Sequence, residues 1–397
     1  MGTQRRISVA VLIDALGWRY LQERDFLNDI LPYRQPLRTV LGFSSGAIPS
    51  ILTGVSPAQH GHWNLLYYDP SGSPFGFLRY LNGVLPLRLL DNRVGRKAIK
   101  EVGRRLLGLG SGFECVVSPG LLPYFNWVEK RSIYAAGGIS GARSIFDRLA
   151  NAQIPYRAYS YHHYSDEEIL ALAADDIQST EAVFFFLYLS EMDSFLHMRC
   201  LDQAAIDRKI LWYAERLRKV FQAARAIDPE AGFSVFSDHG MAPVRRQYDL
   251  MKDVEALGHS MPRDYLAVYD STMARFWFFD EHARQRITRC LSESVCGRIV
   301  PDEELRELGV FFEDRRFGEL VFLLEPGCIL AKSDFNGPQW MPAGMHGYHP
   351  DDPDSDAMFL SNRQPVVPVR TIADLYEHMR QEAGLGALAD AAVSRRA

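Results

Sequence analysis

The stretch Phe233-Ser-Val-Phe-Ser-Asp238-His239-Gly240-Met241 carries the clearest structural signal in the sequence. Residues 233–236 are mostly apolar, which is typical of a short buried strand. The strand is followed at once by an aspartate, a histidine and a glycine. Adjacent Asp and His side chains at a strand end can point to two different metal ions. A buried strand that ends in both residues therefore indicates a ligand site more strongly than a simple turn.

Other apolar runs resemble this one and define the fold class. They are residues 7–13, 156–161 and 182–189, and helix-like segments occur at 166–175 and 201–226. Runs that are apolar on both faces and alternate with helices predict a mostly parallel sheet that is covered on both sides. The sequence therefore predicts an α/β fold.

Two regions interrupt this pattern and predict additions to the core. Residues 71–135 are rich in Gly, Pro, Leu and aromatic residues, and they read as an inserted cap. Residues 255–340 contain predicted strands separated by helices, which indicates a small α+β subdomain. These strands are predicted at residues 266–269, 274–279 and 319–324. The catalytic core is then expected to comprise residues 1–70, 136–254 and 341–397, with a helical segment after Thr371.

Charge and composition exclude several classes of protein. The chain has 397 residues and a net charge of −5, so the molecule as a whole has no electrostatic attraction for a nucleic-acid polymer. Its five cysteines form no Cys-x-x-Cys pair, which argues against a zinc knuckle or a disulfide framework. The run at 7–13 reads as a strand rather than a signal peptide, and the run at 182–189 is too short to span a bilayer. We therefore expect a cytoplasmic protein.

Three further residues have the character of metal ligands. Asp14 follows the first predicted strand, at the carboxyl end where open α/β sheets place their ligand sites. Asp193 and His197 follow the strand at 182–189 and are four residues apart, so one helical face presents both. Taken alone, Asp14 is more often a cap or turn residue, and Asp193 is more often a helix N-cap with an unrelated histidine.

The stretch Gly42-Phe-Ser44-Ser-Gly46 offers a nucleophile. A serine on a sharp turn at the start of a helix is exposed to substrate, and the helix N-terminus stabilises an oxyanion or a phosphate beside it. A pair of serines that merely caps the helix is the alternative.

One more histidine completes the set of candidate metal ligands. His346 lies between Gly344 and Gly347, and glycine next to a histidine lets the backbone approach closely. The combination of clusters is more specific than any one of them. Three histidines and three aspartates suffice for two sites of three protein ligands, each with an open position.

In this order and spacing the chain resembles the type I phosphodiesterase and nucleotide pyrophosphatase branch of the alkaline phosphatase superfamily. In that family the nucleophile lies nine residues before the Thr of a Thr-Gly pair, and Thr53-Gly54 then identifies Ser44 rather than Ser45. Tyr68-Asp69-Pro70 also matches this branch. The resemblance implies an alkaline-phosphatase-like core and hydrolysis of a phosphate ester, with a phosphodiester or pyrophosphate favoured, through a phosphoserine at Ser44.

The resemblance also implies the cofactors and their ligands. Two divalent metal ions are expected, and zinc suits the nitrogen and oxygen ligands, with manganese as an alternative. Carried over by position, the ligands of one ion are Asp193, His197 and His346, and those of the other are Asp14, Asp238 and His239.

Two positions depart from the family pattern. The asparagine that helps to bind the phosphoryl group would fall at Leu65, so Asn64, one residue early, is only a candidate for substrate binding. The family's Thr-Phe-Pro-Asn is replaced by Ser-Ser-Gly-Ala at the nucleophile. The Cys-x-Pro-x-Arg pattern of sulfatases is absent, which argues against sulfate esters as substrates.

Other functions stay open at this point. A phosphotransferase, a mutase or a phosphomonoesterase would use nearly the same centre. A metal-free serine α/β-hydrolase fits Gly-x-Ser44-x-Gly, with Asp238 and His346 in the right order. That fold needs several strands before its serine, and only one clear strand precedes Ser44. A non-enzymatic binding protein is a further class, which the complete set of ligands and nucleophile opposes.

The inserted region has a charge opposite to that of the whole chain. Residues 63–110 contain eight basic and three acidic side chains, interleaved with apolar ones. The region either packs its apolar residues on the core with its arginines in solvent, or borders the active site and selects an anionic substrate with a large apolar or glycosyl group. Peripheral membrane contact is considered for residues 75–110. The expected partner is a small-molecule, lipid-linked or sugar-linked phosphate ester.

Overall fold

A computed structural model describes residues 5–81, 90–107, 109, 117–335 and 341–386. The strands in this part of the chain are β1 (Ser8–Ile13), β2 (Tyr33–Leu37), β3 (Leu66–Tyr68), β4 (Phe125–Trp127), β5 (Tyr156–Tyr159), β6 (Phe184–Leu189), β7 (Gly232–Phe236), β8 (Ala242–Pro243), β9 (Arg246–Tyr248), β10 (Tyr265–Tyr269), β11 (Met273–Phe278), β12 (Gly297–Val300), β13 (Leu320–Leu324), β14 (Cys328–Leu330), β15 (Gly344–Met345) and β16 (Ala357–Ser361).

The helices of the same residues are α1 (Trp18–Leu21), α2 (Ser44–Thr53), α3 (Pro57–His60), α4 (Leu78–Leu81), α5 (Arg93–Leu106), α6 (Ile145–Asn151), α7 (Asp166–Ser179), α8 (Glu191–Arg199), α9 (Gln203–Ile227), α10 (Leu250–Glu255), α11 (Glu281–Ser292), α12 (Asp302–Glu307) and α13 (Leu375–Glu382). None of these helices is long and apolar enough to cross a membrane.

The central sheet has the strand order β2-β16-β7-β1-β6-β5. Strands β7, β1, β6 and β5 run parallel, whereas β16 and β2 add an antiparallel edge. Every residue of β1, β6 and β7 is buried, which explains why their sequences are apolar on both faces. The predicted α/β fold with a mostly parallel sheet is confirmed.

The antiparallel edge is the part of this sheet that the sequence analysis missed. Strand β2 contains Pro36 and is mostly solvent-accessible, so it lacks the apolar signal of the central strands. The statement that one clear strand precedes Ser44 is therefore corrected, because β1 and β2 both do. Strand β2 is tolerated at this edge because Pro is compatible with an outermost strand.

Helices cover both faces of the sheet. On one face, α7 and α9 pack their buried residues against β1, β6 and β7. On the other face, α2, α6 and α13 form a second apolar cluster with the same strands. The helix expected after Thr371 is present as α13, and residues 387–397 lie outside the described part.

A separate antiparallel sheet, with the order β10-β11-β13-β12, lies within the region predicted as the α+β subdomain. Strands were expected at three of these four positions, and β12 was missed. In the region predicted as a cap, β4 pairs with β3, while residues 82–89, 108 and 110–116 lie outside the described residues. Part of the segment considered for membrane contact, residues 75–110, therefore lies outside the described residues. The proposed domain boundaries stay predictions.

Candidate active site

The carboxyl ends of neighbouring parallel strands bring the first ligand group together. Strands β1 and β7 pair with Leu12 opposite Phe236, so Asp14 and Asp238 extend from the same edge of the sheet. Asp14, Asp238 and His239 are buried, and one ligand atom from each lies within 4.8 Å of the others. The structure thus places one predicted ligand set at a single point.

The second ligand group comes from helix α8 and a short two-stranded ladder. Asp193 Oδ1 lies 3.3 Å from His197 Nε2 and 3.4 Å from His346 Nε2. His346 reaches this point because β15 pairs with β8, directly after the loop that carries His239. The three residues of the second predicted set are therefore neighbours as well.

His239 links the two groups. Its ring stacks on that of His346, with 3.9 Å between ring centroids, and Asp193, His239 and His346 also offer ligand atoms within 4.8 Å of one another. His197 contacts Asp193 but is not part of that tighter trio. The six predicted ligand residues consequently form one continuous cluster rather than two separated ones.

Ser44 begins helix α2 and faces this cluster. Its Oγ lies 3.0 Å from His239 Nε2. Ser45 Oγ instead donates to the carbonyl of Trp63 at 2.9 Å. Gly42 has φ of +121°, a conformation that favours glycine, and a Cβ there would lie 2.7 Å from the Trp63 ring. The turn therefore presents Ser44, and not Ser45, to the predicted ligands.

Hydrogen bonds outside the cluster orient two histidine rings. His197 Nδ1 lies 2.9 Å from the Gly344 carbonyl oxygen, and His239 Nδ1 lies 2.9 Å from that of Gly240. A carbonyl oxygen can only accept, so each Nδ1 carries the proton and each Nε2 is left as an acceptor or ligand. Both Nε2 atoms face the carboxylates.

The carboxylates are oriented in the same way. Tyr188 donates its hydroxyl hydrogen to Asp14 Oδ2. The backbone N–H groups of Ala15 and His239 donate to Asp238 Oδ1. Asp14 Oδ1, Asp238 Oδ2 and Asp193 Oδ1 are buried without a hydrogen-bond donor. Each carboxylate thus keeps one oxygen directed into the cluster, as a ligand to a cation would.

The buried carboxylates of the cluster repel one another, and this arrangement favours a bound cation. Burial, together with the charges of Asp238 and Asp193, raises the pKa of Asp14 well above its usual range. Burial and the neighbouring His239 lower the pKa of His346. Burial would also raise the pKa of Asp193, but its contacts with His197 and the other histidines hold that pKa below its ordinary value. A bound cation would relieve the repulsion among the carboxylates.

Asn64 is close to the nucleophile turn but has a different environment from the cluster. It is fully buried, its Nδ2 lies 3.5 Å from Met273 Sδ, and its Oδ1 has no donor. A Cβ at Gly42 would lie 3.7 Å from that Oδ1. Its predicted role in substrate binding stays a prediction.

A cavity of about 280 Å³ opens beside the cluster. His197 and Ser45 line it on the side of the centre, and Asp270 and Ser271 supply further polar groups. Apolar side chains form the remainder of the wall: Phe43, Leu65, Phe335 and Met345. A larger cavity of about 570 Å³ lies along His60, Tyr67 and Trp127 and is lined by none of the predicted ligands.

Sequence reasoning missed the residues that support the ligands. Tyr188 lies in an otherwise apolar strand, and its hydroxyl was the available signal. Phe43 contacts the His346 ring edge-on, with centroids 5.5 Å apart. Gly347 has φ of +90°, and a Cβ there would lie 2.7 Å from the Phe43 ring, so glycine is needed for this contact.

A parallel sheet with a serine and a carboxylate–imidazole cluster at its carboxyl edge defines a phosphoric ester hydrolase of the alkaline phosphatase superfamily. The family model of type I phosphodiesterases and nucleotide pyrophosphatases matches residues 9–349, and the chain belongs to this family. The family is typically dependent on divalent metal ions. No curated protein sequence matches the chain.

Solved structures show the same fold. Human ectonucleotide pyrophosphatase/phosphodiesterase 5 matches with a TM-score of 0.68 at 14% identity, covering 96% of this chain and 95% of that one. The murine protein gives a TM-score of 0.67 at 16% identity, covering 96% of both chains. An inactive threonine-to-alanine variant of the murine protein, in complex with AMP, gives the same values. At such identities the likeness concerns the fold alone.

Proposed function

We propose that this protein hydrolyses a phosphodiester or a pyrophosphate through a covalent intermediate on Ser44, at a centre of two divalent metal ions. The observation that carries the proposal is the 3.0 Å approach of Ser44 Oγ to His239 Nε2, because His239 is part of the first ligand group and lies against Asp193 and His346 of the second. The nucleophile therefore lies at the point where both ions would act.

The donors fit the proposed metal ions. Three carboxylates and three imidazoles provide the oxygen and nitrogen ligands that zinc accepts, and manganese is the alternative. The buried, donor-free oxygens of Asp14, Asp193 and Asp238 supply the negative charge. When bound, the two ions would stabilise charge on the attacking and leaving oxygens of the phosphoryl group.

The chain's own residues would act as follows. Ser44 Oγ gives its proton to solvent water and attacks phosphorus. The bond from phosphorus to the leaving oxygen breaks as the Oγ–P bond forms, and the leaving oxygen takes up a proton from water. The N-terminus of α2 favours the negative charge that develops there. Water then cleaves the Oγ–P bond, which restores the serine and releases the phosphorylated product.

The contacts oppose a metal-free serine hydrolase. That mechanism would pair Ser44 with His346 and Asp238. His346 Nε2 instead faces Asp193, and the histidine at Ser44 is His239. The Nδ1 of His239 faces a backbone carbonyl rather than a carboxylate, so the arrangement of a catalytic triad is not formed.

The apolar cavity supports a substrate with an apolar or aromatic group on one side of the ester. Phe43 lies next to the nucleophile and His197 is a proposed ligand, so a group bound among Phe43, Leu65 and Met345 would be adjacent to the reacting phosphorus.

Peripheral membrane contact through the inserted region also remains a proposal. Helix α5 exposes Val94 and Leu106 by more than three quarters, and Lys97 and Arg104 are exposed as well. Exposed apolar and basic groups on one helix are the features that bind an anionic bilayer. The cytoplasmic location expected from the sequence stays a prediction.

The proposal is tested with a panel of small phosphodiesters, pyrophosphates and phosphomonoesters, using Ser44→Ala and the matched variant Ser45→Ala. We expect Ser44→Ala to lose several orders of magnitude in kcat, whereas Ser45→Ala keeps most of the activity. A chelator should abolish turnover, and added zinc or manganese should restore it.

Three results would contradict the proposal. The first is loss of activity in Ser45→Ala with retention in Ser44→Ala. The second is turnover that survives chelation together with labelling by a fluorophosphonate, which would support the serine hydrolase. The third is a preference for phosphomonoesters across the panel, which would contradict the proposed substrate class but not the roles of Ser44 and the metal ions.

A further inference from the structure

We propose a third divalent-cation site, separate from the catalytic centre, formed by His259, Asp280 and His282. One ligand atom from each of these residues lies within 4.8 Å of the other two. The site lies in the region of the small antiparallel sheet, and it goes beyond the proposed function because it shares no residue with the catalytic cluster.

The fold fixes the relative positions of these residues. His259 lies in the loop between α10 and β10, whereas Asp280 caps α11 and His282 lies in its first turn. Strands β10 and β11 pair with Tyr265 opposite Phe278, which brings the start of one strand to the end of the other. The N–H groups of Phe279 and Asp280 both donate to the carbonyl of Asp264, at 2.9 and 3.1 Å. The three side chains therefore meet through backbone pairing.

The environment of His259 indicates a missing partner. Its side chain is only 12% exposed, and its Nε2 is buried without any hydrogen-bond partner. On the other side of the ring, Nδ1 lies 3.9 Å from Asp264 Oδ2. Buried imidazole nitrogens are normally satisfied, and a carboxylate on the Nδ1 side with a ligand on the Nε2 side is the usual environment of a metal-bound histidine.

The other two residues are arranged to complete such a site. The rings of His259 and His282 lie 5.3 Å apart, edge to face. Asp280 Oδ1 accepts the N–H of Ala283 as the cap of α11, which leaves its second oxygen for a cation. Asp264 carries an ion pair with Arg263, so Asp280 is the carboxylate that offers charge to the site.

The chemistry of the donors selects the ion. Two imidazole nitrogens and one carboxylate oxygen suit zinc, with water in the fourth position. Tetrahedral zinc ligands lie about 3.3 Å apart, which is less than the 4.8 Å limit within which the present atoms fall. Asp280 and His282 are exposed, so small side-chain rotations suffice to close the difference. The bound ion would tie the loop at 256–264 to the start of α11.

The test counts metal ions. Wild-type protein, His259→Gln, His282→Gln and Glu281→Gln are each brought to equilibrium by dialysis against low-micromolar zinc, and bound zinc is measured by mass spectrometry. Glu281→Gln is the matched control, because it removes an exposed acidic group between the two α11 ligands without removing a ligand. We expect both histidine variants to bind one equivalent less than the wild type and the control.

Activity separates this site from the catalytic one. Hydrolysis of a small substrate should be the same in all four proteins. The zinc that the histidine variants lose would then come from the site at His259 and His282 and not from the catalytic cluster. Zinc should also raise the Tm of the wild type by more than that of His282→Gln, an exposed position that tolerates the change. Equal zinc content in the wild type and His282→Gln, with equal Tm shifts, would overturn the proposal. That outcome would not bear on the proposed catalytic centre, because all four proteins keep its ligands and the test compares only the zinc content between them.

Discussion

Replacing Tyr188 by phenylalanine should weaken metal binding at the catalytic centre. Tyr188 is buried, and its hydroxyl donates to Asp14 Oδ2, while Asp14 Oδ1 points into the cluster without a donor. The hydroxyl favours the ionised carboxylate, which is the form that binds a cation. Tyr188→Phe keeps the ring that stacks on Tyr134 and removes only the donor.

The magnitude follows from that single bond. A hydrogen bond to a charged group contributes about 1.5–3 kcal/mol. Since about 1.4 kcal/mol corresponds to a factor of ten, loss of the hydroxyl should lower metal affinity by roughly 10- to 100-fold. Loss of groups that orient a metal ligand has effects of about this size.

The assay measures activity of metal-stripped protein against free zinc in metal buffers. We expect the zinc concentration for half-maximal activity to rise about 10- to 100-fold in Tyr188→Phe, with most of kcat recovered at saturating zinc. Tyr159→Phe is the matched control, because Tyr159 is buried in the adjacent strand and donates to Asp176 instead. An unchanged half-saturation point, or a lost kcat that zinc cannot restore, would refute the reasoning that Tyr188 acts through Asp14.

Other predictions address stability and the inserted region. Burial raises the pKa of Asp166 to about 6, above the unfolded value of about 3.9. The free energy of unfolding should therefore fall as the pH rises from about 4 to about 6, because the unfolded state releases this proton first. Denaturant unfolding measured across this pH range should show a smaller fall for Asp166→Asn. Arg275→Met leaves the buried Asp270 carboxylate unpaired and should lower the free energy of unfolding by about 3–5 kcal/mol, measured by urea titration. If α5 contacts anionic membranes, the double variant Lys97→Glu/Arg104→Glu should lower binding to anionic vesicles at least tenfold in a flotation assay; equal binding would leave α5 with a packing role.

The central sheet could be predicted because its strands have a simple physical signature. Strands β1, β6 and β7 are buried on both faces and therefore apolar throughout. The polar residues that follow them must then lie at one edge of the sheet, which is why the sequence indicated Asp14, Asp193 and Asp238 as neighbours.

The remaining features depend on contacts that leave little trace in one sequence. Strand β2 was missed because an exposed edge strand with a proline has no apolar signal. The approach of His346 to His239 depends on the pairing of β15 with β8, two short strands about 100 residues apart in the chain. Tyr188 looks like a core aromatic, and only its contact with Asp14 reveals another role.

The central claim is that Ser44 attacks phosphorus, and covalent trapping tests it most directly. Enzyme that is turning over a phosphodiester is quenched in acid, digested and mapped by peptide mass spectrometry. The account predicts a phosphoryl group, with or without its remaining ester substituent, on the peptide that contains Ser44, located at Ser44 by fragmentation and absent from Ser44→Ala. A modified Ser45 or His239, or no covalent adduct under conditions of full turnover, would contradict it.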